Sequence, residues 1–306
     1  MEFFTKPLNI DWMDKRKLAA VFSGTLTLIS IASLVVQGLN LGIDFTGGTL
    51  VELRFSQPAD LDQVREKLRS AEFRGVSVQR FGSSRDVLVR VAPREELSSA
   101  EVSGRILSLM PEAEMRRVEF VGPQVGEDLR DKGGLAMIIA LVAILIYVAL
   151  RFESRFAIGA VIALMHDVLL VVGVFSLFQR EFDLSVLAAV LAVIGYSLND
   201  TIVVYDRMRE NFRKMRREST LGIVNVSLSQ TLSRTLMTGI ATFLVLIALY
   251  ALAGEMLRPF SFALIIGLVF GTYSSVYVAS ALALALGVSR KDLLPVAKEG
   301  VADDRP

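Results

Sequence analysis

Asp200 stands inside an apolar run long enough to cross a membrane, in the stretch GYSLNDTIVVYDRMREN at 195–211. Asn199 and Thr201 flank it, and Arg207, the first basic residue able to mark a membrane boundary, follows seven positions later. At ~1.5 Å per residue the carboxyl group lies ~10 Å inside that boundary. An Asp near the centre of a membrane helix costs ~2.5 to 3.5 kcal/mol on insertion, so it calls for a partner or a task. Arg234 is the candidate partner, following fifteen uncharged residues at 219–233 and preceding another apolar run. Either it marks the inner end of that helix, or the helix begins upstream near Val224 and Arg234 lies at about the depth of Asp200. A low-dielectric surrounding favours the neutral acid and a nearby guanidinium favours the carboxylate, so movement between the two would take up and release a proton. His166 and Asp167 are a second polar pair, ten to eleven residues into a different apolar run. Such a pair serves either as hydrogen-bonded helix glue, at ~0.6 to 2 kcal/mol, or as a relay or gate.

The elements that must carry these groups are legible in the composition. The chain has 306 residues, 53% hydrophobic, with Leu, Val, Ile and Ala gathered in long runs, which defines a polytopic α-helical membrane protein. Thirty-three basic residues against thirty-two acidic ones argue against a dedicated nucleic-acid binder. The absence of cysteine removes disulfides and thiol chemistry, and a single histidine rules out a multi-histidine metal site.

Lys15, Arg16 and Lys17 precede an uncharged run at 18–43 with no small-residue processing pattern, which reads as an uncleaved anchor. Six membrane helices are expected at 18–40, 133–150, 156–178, 184–205, 232–254 and 259–287, with a loop at 206–231 and a tail at 288–306. Gly267 and Gly271 in the last of them are spaced for close helix packing. The positive-inside rule puts the N-terminal segment 1–17, Arg151, Arg155, the 207–217 cluster, Arg290 and Lys291 in the cytoplasm, leaving only Arg180 and Arg258 in short outer loops. The basic run at 206–219 reads either as a topology determinant and lipid-headgroup partner or as a contact for a ribosome-side or channel-side partner. Both termini are therefore expected inside, and the charged insert at 41–132 outside, in the periplasm of a bacterial-type inner membrane.

That insert alternates as a strand at 49–55, turns helical at 61–71 behind a cap at Asp60, and forms a hairpin from 76–81 and 87–91 across Gly82, Ser83 and Ser84. A second amphipathic helix is expected at 95–109 before Pro111, and a last strand at 115–121. The order strand, helix, strand, strand, helix, strand predicts a ferredoxin-like α+β domain between the first and second membrane helices. Its stalks carry Gly47, Gly48, Gly122 and Gly126, which are either simple turns or hinges transmitting helix movement.

Four strings, GIDFTGGTLVEL at 42–53, VGPQVGEDL at 121–129, the 195–211 stretch, and QTLSRTLMT at 230–238, resemble the SecD/SecF family of bacterial protein-export membrane proteins. The likeness spans almost the whole chain and implies a subunit that pairs with SecD, a homologous six-helix half, in an assembly related to resistance-nodulation-division exporters. It further implies work with the SecYEG channel on translocating preproteins, with YajC and YidC as additional partners, driven by the proton gradient. On that resemblance Asp200 and Arg234 are the proton relay, with Asn199, Thr201, Asp167 and His166 as secondary candidates. Tyr205 is a conservative departure where the family often has Phe. No GxxxxGK[ST] string offers a nucleotide-driven alternative. Two readings compete: an intramembrane aspartyl protease using Asp167 and Asp200, which would need a GxGD-type string that is absent, and a purely structural assembly subunit.

Overall fold

The computed structural model describes residues 10–71, 73, 76–93 and 97–289. The expected start of the second domain helix at Glu95, the tail residues Arg290 and Lys291, and the first nine residues lie outside that set. Among the described residues, six helices are long and apolar enough to span a membrane.

The first, α1 (Arg16–Val36), is followed by a two-residue strand β1 (Asn40–Leu41) and a one-turn helix α2 (Ile43–Thr46). The inserted domain comprises β2 (Gly48–Phe55), α3 (Leu61–Ser70), β3 (Ser77–Arg80), β4 (Asp86–Val91), α4 (Ser99–Leu109) and β5 (Ala113–Val121). Its four strands are antiparallel in the order β3-β4-β2-β5, so the first strand lies between the third and the last. Strict alternation puts Val87, Val89 and Val91 of β4 on one face, where they join Leu68 of α3 and Ile106 of α4 in a single apolar core. Asp60 caps α3 by accepting from the backbone N–H groups of Asp62 and Gln63, and Ser98 and Glu101 form a capping box at α4.

The membrane bundle differs from its expected limits at helix ends. Helix α5 (Pro123–Arg151) begins ten residues before the expected 133. Pro123 sets the first turn, and the pairs Glu127–Arg130 and Asp128–Lys132 make the polar turns helical although they are too charged to lie in lipid. After α6 (Ser154–Leu177) and the short strand β6 (Glu181–Phe182), α7 (Leu184–Lys214) continues well past 205. Helix α8 (Thr220–Leu252) starts at its Ser219 cap, so most of the expected loop 206–231 is helix. Hydropathy ends with the apolar stretch, whereas these helices continue because buried Asn211 of α7 donates to Ser227 and Gln230 of α8, both at 2.9 Å. The last span runs through α9 (Arg258–Ser274), a π turn at Ser275–Ala279 and α10 (Ser280–Ala285).

Two features not anticipated from sequence join the inserted domain to the bundle. β1 pairs in parallel with β6, and Arg90 of β4 donates to the Leu41 carbonyl and forms an ion pair with Glu181. The same carboxyl is largely buried, and this burial pushes its pKa up from the ordinary glutamate value against the opposing pull of Arg90.

Candidate functional site

The helix carrying Asp200 is fixed from its outer end. Asp183 caps α7 by accepting from the Val186 N–H at 2.8 Å, and Asp44, from the turn after α1, accepts from the Leu184 N–H at 3.0 Å. Two carboxylates at one helix N-terminus satisfy donors that the helix itself cannot and sit favourably in its dipole. Sixteen residues further along α7, Asp200 is only 3% exposed, and its Oδ2 has no hydrogen-bond partner among the described residues. A buried acceptor left unpaired costs about 1 to 3 kcal/mol, so the fold holds this oxygen in an unsatisfied state.

Arg234 is the cation that acts on Asp200. Because α8 begins at Thr220, Arg234 stands fourteen residues into the helix, as the upstream-start alternative requires. The two side chains are not in direct ion-pair contact; they interact through space across the α7–α8 contact. Tyr196, one turn before Asp200, lies beside it and near Thr238 of α8. Thr201 is buried next to the site, while Asn199 and Arg234 are exposed on the surface of the single chain.

His166 and Asp167 are brought into a different arrangement. Asp167 is fully buried and both its oxygens are used: Oδ1 meets His166 Nδ1 at 3.0 Å, and Oδ2 accepts from Ser197 of α7 at 2.5 Å and Ser274 of α9 at 2.6 Å. One carboxyl group thereby ties three membrane helices together. Since a carboxylate only accepts, His166 uses its Nδ1–H on Asp167 and presents Nε2, which is buried and has no partner among the described residues. Directly after Ser274 comes the π turn, where Tyr205 donates to the Ala279 carbonyl at 2.9 Å; a Phe at 205 would leave that bond unmade.

The four stalk glycines are not equivalent. Gly47 has φ of +69°, and a Cβ on Gly126 would lie 2.6 Å from the Gly47 nitrogen, so α2 and α5 touch backbone to backbone. Gly48 also has positive φ, at +126°, and a Cβ there would run into the Val91 carbonyl oxygen. Gly122 is open, with no such close neighbour. Since Gly48 also pairs with Val121, the two stalks form one bolted joint. Gly267 and Gly271 meet Val193 and Ser197 of α7, which makes their spacing a close-packing device.

Sequence reasoning missed Asp44 as a cap and Asn211 as a buried tie. Asn211 lies eleven residues after Asp200, three helical turns away on the same face, so continuing the helical period past 205 would have found it. Among the described residues no group of three or more His, Asp or Glu side chains is arranged to hold a metal ion.

Fold and site define a multi-pass membrane protein, with six helices long and apolar enough to span among the described residues, a folded α+β domain inserted after the first of them and ionisable side chains buried within the bundle. The chain belongs to the SecD/SecF family of protein export membrane proteins: the C-terminal SecD/SecF model matches residues 102–289, and the SecD/SecF GG motif model matches 32–59, which includes Gly47 and Gly48. It is 49% identical to the protein translocase subunit SecF of Vibrio alginolyticus, over 97% of this chain and 96% of that one. It is 48% identical to the SecF subunit of Pseudomonas aeruginosa, over 97% and 98%. The crystal structure of SecDF from Thermus thermophilus, described as a translocon-associated membrane protein, superposes with a TM-score of 0.84 at 36% identity. This chain is covered to 93% but spans only 39% of the SecDF chain. A SecDF structure in a super-membrane-facing form matches over the same 93% and 39%, at 36% identity, with a TM-score of 0.68.

Proposed function

We propose that the chain is a SecF-type subunit of the preprotein export machinery, which pairs with SecD and uses the proton gradient to drive late translocation beside the SecYEG channel. The observation that carries this reading is Asp200, buried in a membrane-length helix with one oxygen unsatisfied and Arg234 within electrostatic range on the neighbouring helix. Direct pairing with Arg234 would keep Asp200 ionised, and complete isolation would keep it protonated; a pair on neighbouring helices with no direct ion-pair contact can pass between the two. A proton arriving from outside neutralises Asp200 and frees Arg234, and release to the cytoplasm restores their attraction. Each proton crossing 100 mV supplies ~2.3 kcal/mol, enough to bias states separated by a few kcal/mol.

The inserted domain, residues 41–132, is the periplasmic ferredoxin-like part in this reading, with both termini in the cytoplasm. Its strand order, with the first strand between the third and fourth, supports the fold name, and the basic residues Arg151 and Arg209 at the opposite ends of the helices support the orientation. The joint of Gly47, Gly48, Gly122 and Gly126 passes helix movement to this domain. The unequal fit to two SecDF structures at equal coverage supports a family fold with more than one arrangement. YajC, YidC and the preprotein belong to the same partner set, and no nucleotide hydrolysis is assigned to this subunit. Asn199 and Thr201 flank Asp200, and the His166–Asp167 pair ties α7, which carries it, to α6 and α9.

The test uses Asp200→Asn and Arg234→Met in vesicles carrying the whole export complex. Both variants are expected to assemble normally and to lose gradient-stimulated late export and its proton flux, while the ATP-driven early stage persists. Wild-type flux and export in Asp200→Asn would remove the relay and leave a structural subunit.

A further inference from the structure

A cavity of about 890 Å³ opens between α1, α5, α6 and the α9–α10 region, away from Asp200. Its walls are almost wholly apolar, with Ala20 of α1, Met137 of α5 and Ala281 of α10 among them. Beside the hydroxyls of Ser23, Thr27 and Tyr277, three ionisable side chains break that pattern. Arg16 and Lys17, at the first turn of α1, stand at one end, and His166 lines the interior.

The relative depth of these groups follows from hydrogen bonds. Tyr273 bonds Ser23 and the Ala19 carbonyl of α1, both at 3.0 Å, and its neighbour Ser274 bonds Asp167. His166 is therefore level with 19–23 of α1, between one and two helical turns, ~5 to 10 Å, deeper than Arg16 and Lys17. It is 8% exposed, its Nδ1 is committed to Asp167, and its Nε2 is without a partner among the described residues. A hydrocarbon chain alone cannot satisfy that nitrogen. Water held by the glycerol-ester carbonyls of a phospholipid can, by donating to it, and that region lies about this far below a phosphate.

We propose that this cavity is a binding groove for an anionic glycerophospholipid. The phosphate sits against Arg16 and Lys17, the ester region lies level with His166, and one acyl chain fills the apolar part of the groove. Charge complementarity selects the occupant: two cations at the mouth favour a lipid with net negative charge over a zwitterionic one of the same chain length. The groove lies apart from the Asp200–Arg234 relay, so the proposal stands independently of proton coupling.

Native mass spectrometry of the purified full complex, equilibrated with either phosphatidylglycerol or phosphatidylcholine of identical acyl chains, tests it. The wild type is expected to retain phosphatidylglycerol preferentially, and Arg16→Gln with Lys17→Gln to weaken that retention about 30-fold, from ~1 kcal/mol for each cation. Ala281→Phe, which blocks the groove and leaves both charges in place, is expected to lose the lipid to the same degree. His166→Gln, which retains a polar group at that level, is expected to keep most of the retention, and His166→Leu to lower it. Equal retention of the two lipids would overturn the proposal. So would loss in the charge variants with full retention in Ala281→Phe, since that pattern belongs to surface attraction alone. Thermal unfolding of each variant identifies any that are misfolded, and for these Ala20→Phe supplies a second way to fill the same space.

Discussion

Asp167 and Asp200 are both buried aspartates in adjacent membrane helices, and their hydrogen bonds give them opposite tasks. Asp167 accepts on both oxygens from groups on its own and two other helices, whereas Asp200 Oδ2 accepts from none among the described residues. A carboxylate whose acceptors are all used is stabilised as a structural tie; one with an idle oxygen retains capacity for a proton. Asp167→Ala is therefore expected to strand two serine hydroxyls and an imidazole, lowering stability by about 2 kcal/mol. Thermal unfolding in detergent reads this as a lower midpoint, with the gradient dependence of residual export unchanged. Asp200→Asn is expected to do the reverse. A stable Asp167→Ala protein with lost proton coupling would move Asp167 into the relay. Nothing in the sequence separated the two roles, because the serines that saturate Asp167 lie 30 and 107 positions away. The chemistry of Asp200 itself was legible, since an acid in an apolar run is conspicuous however the chain folds.

At the scale of elements, the junction between the inserted domain and the bundle contains a group whose charge state is expected to govern docking. Glu181 follows α6, faces Arg90 of β4, and has its pKa raised chiefly by burial. The sign follows from linkage: a carboxyl with a higher pKa when docked than when free binds its proton more tightly in the docked state. Docking is thus favoured as pH falls through the window between the ordinary glutamate value and the raised one, and this contribution is lost as pH rises above it. The outer side, where the proposed topology puts Glu181, is the acidic side of an energised membrane. Glu181→Gln, neutral and still able to accept from Arg90, is expected to dock as well as the wild type at low pH and to abolish the pH dependence in that window. Spin labels on cysteines placed at Ser84 and Leu252 of this cysteine-free chain would report the distance against pH; an unchanged pH profile in Glu181→Gln would discard the idea. The domain's strands and helices were readable because alternation and capping are local. The β1–β6 pairing was not, since two-residue strands 141 positions apart leave no periodic signal.

For the whole molecule, the decisive feature is an incomplete surface. Helix α8 is mostly exposed along its membrane length, with Ile240 48%, Leu244 63% and Val245 66% accessible, and Arg234 exposed with them. Exposed leucine and valine are at home in lipid, but an arginine well inside a membrane helix costs ~2.5 to 3.5 kcal/mol there. Long side chains escape by reaching the interface, yet Arg234 is the cation that acts on buried Asp200 and so remains near that depth. The Arg234 face of α8 is therefore expected to lie against another protein, and the homologous SecD half is the partner this family provides. The outer face of α1, with Val21 and Val35 exposed at 69% and 80% and no charge between them, carries no such requirement and is expected to face lipid. Single cysteines at Ala241 and Val245, seven and eleven residues after Arg234 and so on its face of α8, and at Val21 and Val35 separate these surfaces. In the assembled complex, the two α8 positions should cross-link to SecD and resist a lipid-soluble thiol reagent, and should become reactive when SecD is removed; the two α1 positions should label in both states. If Ala241 and Val245 label from the lipid phase as fast as Val21 in the complete complex, the Arg234 face of α8 does not carry the interface, and Arg234 must be accommodated within this chain alone.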